Sequence, residues 1–398
     1  MKWLIVEDAL RDKKGHWFEY IRTFRCGLMH EGDEVTVLAD RNVELFIREQ
    51  LDAKPVLPAS IWHRMSDGAK PWKRYLRVPV HAWQTWRCVR IWLKNNQDYD
   101  LIFVPTVSLH HLLGWLWLIK RVLKGKRTRV LLYFLSLPIT LTSDGQARWV
   151  NSLTTSLLRW IFRRLQSSVM SGRVVLGVET VPLKQALETL TNLPVCYLPQ
   201  PVEAFAKTPE SASTELLMGC YGGARCEKGS DLLQLAIVQY LKHYPQSRTR
   251  FAVQWVDDFQ NEQGEWVRMN PILVHSERVT FIRKYFGDGE YGDWLGQTQV
   301  MLLPYRRSSY GLRGSRVIIE AMVNGIPVVV ACGTTLAEQA ERFGAAIPCE
   351  DGDLASLVEA MHQAEQNYHA LKEQAEKQKA AAREHFSVAE FRRITSLA

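Results

Sequence analysis

The stretch at residues 310–330, YGLRGSRVIIEAMVNGIPVVV, predicts a loop, a helix, a turn and a strand in that order. Gly311 and Gly314 bracket the loop, and glycine lets a backbone approach a ligand closely. Ser315 is a candidate N-cap, and the apolar residues after it recur at helical spacing. Free N–H groups and the helix dipole would point at the same spot, so this loop is a candidate anion site.

The predicted helix carries one carboxylate, Glu320, among apolar neighbours. A buried carboxylate is unfavourable unless another group pairs with it. Glu320 is therefore a candidate ligand-binding residue, and the alternative is a tolerated Glu in an ordinary βα unit. Gly325 and Pro327 end the helix, and the VVV run after them is typical of a buried parallel strand.

A second stretch, YGGARCEKGSDLL at residues 221–233, opens the second half of the chain directly after a predicted strand. Ligands of α/β sheets bind at the carboxyl ends of strands, where this loop would lie. Arg225 offers a fork of donors to phosphate oxygens and Lys228 offers a point charge. The alternative interpretation is a loop with two solvated cations.

Together these stretches resemble the donor site of retaining glycosyltransferases with the GT-B fold, the large glycogen-synthase-like group. Residues 222–229 match its Gly-x-x-Arg-x-x-Lys-Gly motif, whose Arg and Lys bind the donor diphosphate in that family. The Glu at the position of Glu320 binds the nucleotide ribose there. The resemblance implies an α/β protein with two Rossmann-like domains, whose parallel sheets face across a cleft, and a C-terminal helix that crosses back to the N-terminal domain.

One position departs from the family pattern. Many members carry a second Glu eight residues before the ribose-binding one, and here that position is Leu312. The usual contact to the sugar hydroxyls is therefore in question. This departure motivates an alternative from another class, a non-catalytic GT-B subunit that binds a partner or a membrane.

The length of 398 residues suits two domains. Strands alternating with helices in both halves predict parallel sheets. We predict an N-terminal domain at 1–198, a linker at 199–214, a nucleotide-sugar domain at 215–384 and a returning helix at 385–398.

The first half offers candidate site residues at two places. Gly15 and His16 lie in a loop where the family has a Gly-rich loop, and the pair His110-His111 follows a predicted strand at 101–105. A His pair can bind zinc, but the sequence shows no third ligand, so we predict no metal. The predicted catalytic residues are Arg225, Lys228, His110 and His16. The predicted donor-binding residues are Gly15, Gly223, Arg225, Lys228, Lys284, Gly311, Arg313, Gly314, Ser315 and Glu320.

Charge is divided unevenly along the chain. Residues 1–199 hold 29 Lys and Arg against 17 Asp and Glu, a net charge of +12, while residues 200–398 carry −4. Eleven of the 14 Trp precede residue 161, many of them beside basic residues at 62–94 and 115–127. Basic clusters interleaved with Trp favour an anionic membrane surface, and nucleic acid is the competing partner.

Seven scattered cysteines without C-x-x-C spacing favour a reducing cytosol. No leader-like segment or spanning run is evident. The sequence therefore predicts a cytoplasmic enzyme, peripheral at the inner face of the membrane. Its donor is a nucleotide-diphosphate sugar, it needs no cofactor, and its acceptor is lipid-linked or a growing bacterial polysaccharide. A glycosyltransferase that acts on nucleic acid is the alternative enzyme.

Overall fold

The structure is a computed structural model that describes residues 1–13, 17–60, 71–96, 98–142, 145–205, 215–287 and 289–397, without the side chains of 71–76. The chain divides into two compact units. The first comprises Met1–Pro201 with Val388–Ala398, and the second comprises Val202–Ser387.

The first unit is built on a seven-stranded sheet with the strand order β3-β2-β1-β4-β5-β8-β9. All its pairings are parallel. A separate antiparallel hairpin is formed by β6 and β7. The strands are β1 (Lys2–Val6), β2 (Glu34–Asp40), β3 (Lys54–Leu57), β4 (Leu101–Val104), β5 (Arg129–Phe134), β6 (Ile139–Leu141), β7 (Ala147–Trp149), β8 (Val174–Val178) and β9 (Val195–Tyr197).

Helices connect these strands, as parallel pairing requires a crossover. They are α1 (Trp17–His30), α2 (Leu45–Gln50), α3 (Pro71–Asn95), α4 (Leu109–Trp117), α5 (Leu153–Met170) and α6 (Val181–Thr191), and a π-helical turn at Leu118–Val122 extends α4. Helix α3 is amphipathic: its buried positions include Ala82, Val89 and Leu93, while Trp83 and Ile91 on its other side are exposed.

The second unit has a six-stranded parallel sheet with the order β14-β11-β10-β15-β16-β17. A short antiparallel hairpin pairs β12 with β13. The strands are β10 (Leu217–Cys220), β11 (Arg250–Gln254), β12 (Phe259–Gln260), β13 (Trp266–Val267), β14 (Val279–Ile282), β15 (Val300–Leu303), β16 (Val328–Ala331) and β17 (Ala346–Cys349).

The helices of the second unit lie mainly between successive strands and after the last one. They are α7 (Ser230–His243), α8 (Pro271–Val274), α9 (Glu290–Gln297), α10 (Arg307–Tyr310), α11 (Arg316–Val323), α12 (Thr335–Phe343), α13 (Leu354–Gln366) and α14 (Tyr368–His385), with a 3₁₀ turn at Cys226–Lys228. Asp353 accepts a hydrogen bond from the backbone N–H of Ser356 at 2.6 Å and so caps α13.

The last helix, α15 (Val388–Leu397), belongs to the first unit, which confirms the returning C-terminal helix. Phe391 is fully buried against aromatic rings of α1, β4 and β5, with centroids 4.7 Å from Phe24, 5.4 Å from Phe103 and 6.0 Å from Tyr133. Apolar spacing in this segment thus reflects the burial of Val388 and Phe391.

Two boundaries in the first unit have clear local causes. Trp149 ends β7, and helix α5 begins at Leu153 with Ser152 as its cap, accepting from the Thr155 N–H at 3.1 Å. Helix α4 changes to π geometry at Leu118. All seven cysteines are unpaired. Among the described residues, none of the helices is long and apolar enough to cross a bilayer.

Candidate functional site

The second sheet brings the loops after β10 and β15 together, because these strands are neighbours in the sheet. The backbone N–H of Arg306 donates to the carbonyl oxygen of Glu227 at 3.0 Å and joins the two loops. Parallel strands place both loops at the carboxyl edge, which is where α/β sheets bind ligands. The two stretches singled out in the sequence therefore lie side by side at one edge of the sheet.

Lys228 lies at the centre of this edge, packed against the Gly222 backbone and the Tyr305 ring, whose centroid is 5.5 Å from the Lys228 Nζ. Gly222 has φ +86, and a side chain there would collide with that Nζ. Burial lowers the pKa of Lys228 to about 8, and the like charges of Arg225 and Arg313 act in the same direction. Such a cation favours an anionic ligand that would restore its charge.

A single carboxylate holds two further cations at this edge. Arg225 Nη1 lies 3.5 Å and Arg313 Nη1 lies 3.4 Å from the same oxygen, Glu227 Oε1. The Arg225 side chain is 58% exposed and can therefore reach a ligand. Arg313 also lies over the Tyr310 ring, 5.0 Å from its centroid. Three cations thus share one edge of the sheet, and Arg313 is part of the cluster.

Gln254, at the end of β11, connects the glycine loop to Lys284. Its Oε1 accepts from the Gly222 N–H at 2.6 Å, and its Nε2 donates to the Lys284 carbonyl at 2.9 Å. The Lys284 ammonium itself pairs with Glu290 at 2.6 Å and is largely exposed. Gly223 lies beside Gly222, and a Cβ on Gly223 would meet open space. The Lys284 backbone therefore lies near the cluster of three cations, whereas its ammonium pairs with Glu290.

The loop before α11 carries four of the predicted donor-binding residues. Gly311 has φ −68, so its position does not require the conformational freedom of glycine. Thr335 Oγ1 donates to the Arg313 carbonyl at 2.6 Å and anchors the loop, in which Gly314 follows. Ser315 occupies the N-cap position of α11, but within the described part of the chain its side chain makes no capping bond, contrary to expectation.

Glu320 is 4% exposed, and both of its carboxylate oxygens have partners. Tyr291 donates its hydroxyl to Oε2 at 2.6 Å, and Arg316 donates Nε to Oε1 at 2.8 Å. Burial, together with the nearby Glu320 charge, raises the pKa of Tyr291 well above its usual value, so its hydroxyl stays a donor. These two partners compensate for the unfavourable burial of the carboxylate. Each oxygen retains a lone pair that can accept a hydrogen bond from a ligand hydroxyl.

In the first unit, His110 and His111 open α4 and lie beside two residues that the sequence analysis did not connect with them. Asp8 Oδ2 is 2.8 Å from His81 Nε2 and 3.0 Å from His111 Nε2. Two side chains that could serve as further ligands therefore lie beside the His pair, although the sequence shows none near it. Gly15 and His16 lie outside the described residues, so their predicted roles stay predictions.

Sequence reasoning also missed residues that organise this edge of the second sheet. Glu227 reaches Arg313, Gln254 reaches Gly222 and Tyr291 reaches Glu320. These partners are distant in sequence, so no local pattern reveals them. Arg316 carried a usable signal, since it lies four residues before Glu320 on one helix face.

Known structures share this two-unit architecture over nearly their whole lengths. The chain aligns with sucrose-phosphate synthase from Thermosynechococcus elongatus at 14% identity and TM-score 0.63, covering 100% of this chain and 98% of that one. It aligns with the Anabaena protein HepE, solved in complex with UDP-glucose, at 13% identity and TM-score 0.63, covering 100% and 98%. This chain has the GT-B fold.

A third GT-B structure, the catalytic domain of starch synthase IV from Arabidopsis thaliana bound to ADP and acarbose, aligns at 10% identity and TM-score 0.62, covering 99% of each chain. No protein-family model and no curated protein matches this sequence. Identities this low establish the fold alone. The predicted GT-B architecture is thus confirmed, as is its resemblance to glycogen-synthase-like enzymes at the level of fold.

Proposed function

We propose that this GT-B protein is a glycosyltransferase that uses a nucleotide-diphosphate sugar. The observation that carries the proposal is the cluster of Arg225, Lys228 and Arg313 around the glycine loop, at the carboxyl edge of the second sheet. Glu227 alone cannot neutralise three cations, and a nucleoside diphosphate would supply the remaining negative charge. The matched structures solved with UDP-glucose or ADP support the same ligand class.

In this proposal the cations act on the leaving group. Negative charge builds on the diphosphate as the bond to the sugar C1 breaks and an oxocarbenium-like centre forms. Fixed cations aimed at that charge stabilise the transition state more than the bound substrate. The acceptor hydroxyl attacks from the leaving-group face and passes its proton to the diphosphate, so the product retains the anomeric configuration. The step requires no nucleophile from the protein.

Glu320 serves the nucleoside in this scheme. Tyr291 and Arg316 fix its carboxylate, which accepts hydrogen bonds from the ribose hydroxyls. A preorganised acceptor loses little entropy when the ligand binds. The neighbouring loop amides before α11 contact the diphosphate.

The proposed location of the acceptor is inferred from exposed residues on the surface of the first unit. Helix α3 exposes Val80, Trp83 and Ile91 on one side, at 51%, 47% and 50% exposure. Cations share that side, with the Arg87 guanidinium 5.5 Å from the Trp83 ring centroid and Arg90 also exposed. An exposed face of apolar and basic residues suits the headgroup region of an anionic bilayer. We therefore place the acceptor, a lipid-linked sugar or polysaccharide, at the cytoplasmic membrane face.

The test is a thermal-shift screen of nucleoside diphosphates and their sugars, followed by assays of donor hydrolysis and transfer. Arg225→Ala should lower turnover by about 10²–10³, the usual cost of losing one charge-stabilising donor. Arg268→Ala is the matched control, because Arg268 is 77% exposed and pairs only loosely with Asp258, at 3.8 Å. Equal turnover in the two variants would refute the assigned role of Arg225.

A second candidate is a non-catalytic GT-B subunit, and Leu312 is the observation that favours it. Without a carboxylate at that position, the sugar hydroxyls lose a family contact. A protein that binds nucleoside diphosphate tightly, yet neither hydrolyses nor transfers any donor sugar in the screen, would establish this candidate in place of the enzyme.

A further inference from the structure

Four buried side chains of the first unit converge on one point. Asp8 follows β1, His81 lies in the middle of α3, and His110 and His111 form the first turn of α4. Their ligand atoms all lie within 4.8 Å of one another. The four residues are only 1–6% exposed, so the cluster is closed to solvent. Three segments of the chain, far apart in sequence, meet there.

The separations within this cluster are close to those of a metal coordination shell. Asp8 Oδ2 lies 2.8 Å from His81 Nε2 and 3.0 Å from His111 Nε2. Ligands about 2.0–2.1 Å from a tetrahedral zinc ion lie about 3.3 Å from each other. Movements of a few tenths of an ångström would bring these two contacts to that spacing, and any wider separations in the cluster, which are at most 4.8 Å, would have to shorten around the ion. The contact of His81 Nε2 with Asp8 lacks hydrogen-bond geometry.

Two atoms of the cluster have unused bonding capacity. Among the described groups, neither His81 Nε2 nor Asp8 Oδ1 has a hydrogen-bond partner, although both are fully buried. Buried polar atoms in native structures are nearly always paired, so an orphaned pair in one cluster indicates a missing partner. A cation would satisfy a carboxylate oxygen and an imidazole lone pair together.

Hydroxyl groups surround the cluster where outer partners of a metal site are expected. Ser108 Oγ lies 3.1 Å from His111 Nδ1 and 2.7 Å from His110 Nδ1, and Thr85 Oγ1 lies 3.5 Å from His81 Nδ1. A metal-bound imidazole usually donates its second N–H to such a partner, which orients the ring. The Ser108 hydroxyl can accept from His111 Nδ1 in this way, although the Ser108 backbone N–H also donates to that atom at 3.3 Å. For His81 and His111 this leaves the Nε2 atom directed towards Asp8.

A competing interpretation needs no metal. In it, the Nε2 of His111 and Oδ2 of Asp8, which are 3.0 Å apart, form an ion pair that compensates the buried carboxylate.

We propose that Asp8, His81, His110 and His111 form a binding site for a divalent transition-metal ion, with Zn²⁺ as the best fit. Three imidazole nitrogens and one carboxylate oxygen suit tetrahedral Zn²⁺, and Cu²⁺ or Ni²⁺ would compete for the same donors. All four positions come from the protein and are buried, which is typical of a structural site. The ion would tie α3 and α4 to the carboxyl edge of the first sheet.

This proposal reverses the expectation of no metal, which rested on the lack of a third ligand in the sequence. It is independent of the proposed sugar transfer, because the donor-side residues belong to the second unit. The readouts chosen to test it are metal content, metal affinity and thermal stability, none of which depends on activity.

The test uses the full-length protein, free of any affinity tag and stripped with a chelator. Titration with Zn²⁺ should show one ion per chain and a higher Tm, and Co²⁺ should give the strong visible absorption of a tetrahedral complex. His81→Gln should lower Zn²⁺ affinity by more than about 100-fold, exceeding the 10–100-fold typical of losing an outer partner. His30→Gln is the matched control, because His30 is exposed in the same unit.

If His81→Gln does not fold, Ser108→Ala provides the second test. It keeps all four ligands and removes the hydroxyl beside two of them, and it should lower Zn²⁺ affinity about 10–100-fold. A wild-type protein that takes up no Zn²⁺ and gives no Co²⁺ absorption would overturn the proposal in favour of the ion pair. The same conclusion follows if both variants bind the metal as tightly as the wild type.

Discussion

At the scale of single residues, the ionisation of Lys228 predicts a proton uptake on ligand binding that can be measured. In the protein without a ligand, the pKa of Lys228 is about 8, below the ordinary 10.5, because the ammonium is buried. An anionic diphosphate would raise that pKa, so the complex would hold more protons than the free protein above pH 8. Affinity for a nucleoside diphosphate should therefore fall as the pH rises through 8, with little change near pH 7 where the group is already charged.

Calorimetry at pH 8.5 in buffers of different ionisation enthalpy measures this proton uptake directly. The wild type should take up about half a proton or more per ligand, since a group with a pKa of about 8 is mostly neutral there. Lys228→Met should lose the uptake, while Lys284→Met, at an exposed cation paired with Glu290, should keep it. Uptake that survives in Lys228→Met would assign the proton to another group.

Glu320 supports a second prediction at this scale. If its carboxylate accepts the ribose hydroxyls, Glu320→Gln should weaken nucleotide binding by about 1–3 kcal/mol, the scale of hydrogen bonds to charged groups. Free nucleoside diphosphate and the full donor should lose affinity alike, because the contact is remote from the sugar. Tyr291→Phe keeps the carboxylate and its Arg316 partner, so it should lose less. Normal nucleotide affinity in Glu320→Gln would contradict the ribose role.

At the scale of elements, an ion pair with a buried carboxylate joins α15 to the residue before β2. Arg392 donates to Asp33 through Nε at 2.6 Å and Nη2 at 2.9 Å, and the Asp33 side chain is fully buried. Burial alone would raise the pKa of Asp33, but the hydrogen bonds, with those from Arg392 foremost, lower it to about 2. The stabilisation from this pair is therefore complete at neutral pH and is lost as the pH falls through about 2.

Arg392→Ala should lower the free energy of unfolding by about 2 kcal/mol at pH 7, because it removes two charged hydrogen bonds from a buried carboxylate. The Met1 amino group and Trp3 Nε1 still donate to Asp33 in the variant. Arg393→Ala is the control on the same helix, since Arg393 is 60% exposed and pairs only with Glu390 on that helix. Its effect should stay within about 0.5 kcal/mol. Urea unfolding followed by circular dichroism compares the two, and equal effects would show that α15 is held by its apolar face alone.

At the scale of the whole molecule, the charge asymmetry and the exposed face of α3 predict a peripheral membrane protein. Binding should be strong on anionic vesicles, weak on neutral ones, and reduced by salt, which shortens the screening length. Reversing Arg87 and Arg90 to Glu should weaken vesicle binding about tenfold or more, since each well-placed cation contributes about 1 kcal/mol. Donor affinity should not change, because the donor-side residues lie in the other unit.

Vesicle sedimentation with a duplex DNA competitor decides between the two anionic partners. Arg268→Glu, at an exposed cation of the acidic half, is the control and should bind vesicles as the wild type does. A protein that ignores anionic vesicles but binds duplex DNA at physiological salt would replace the membrane partner with nucleic acid.

The sequence by itself determined the features that depend on local chemistry. Strand and helix periodicity predicts the two alternating halves, the loop from Gly222 to Lys228 at a strand end, and the loop and helix from Gly311 to Glu320. These predictions succeed because turn residues, caps and apolar spacing act within a few residues of the chain. The same local signals also predict that a loop lies at the carboxyl edge of a sheet, once the strand before that loop is recognised.

Only the tertiary structure decided which side chains meet. Asp8 and His81 join His110 and His111 because β1 and β4 are neighbours and α3 turns His81 inwards. Glu227 reaches Arg313 because β10 and β15 are adjacent. Strand order and helix rotation are set by the packing of the whole core, where many weak contacts act together, and no local pattern carries that information.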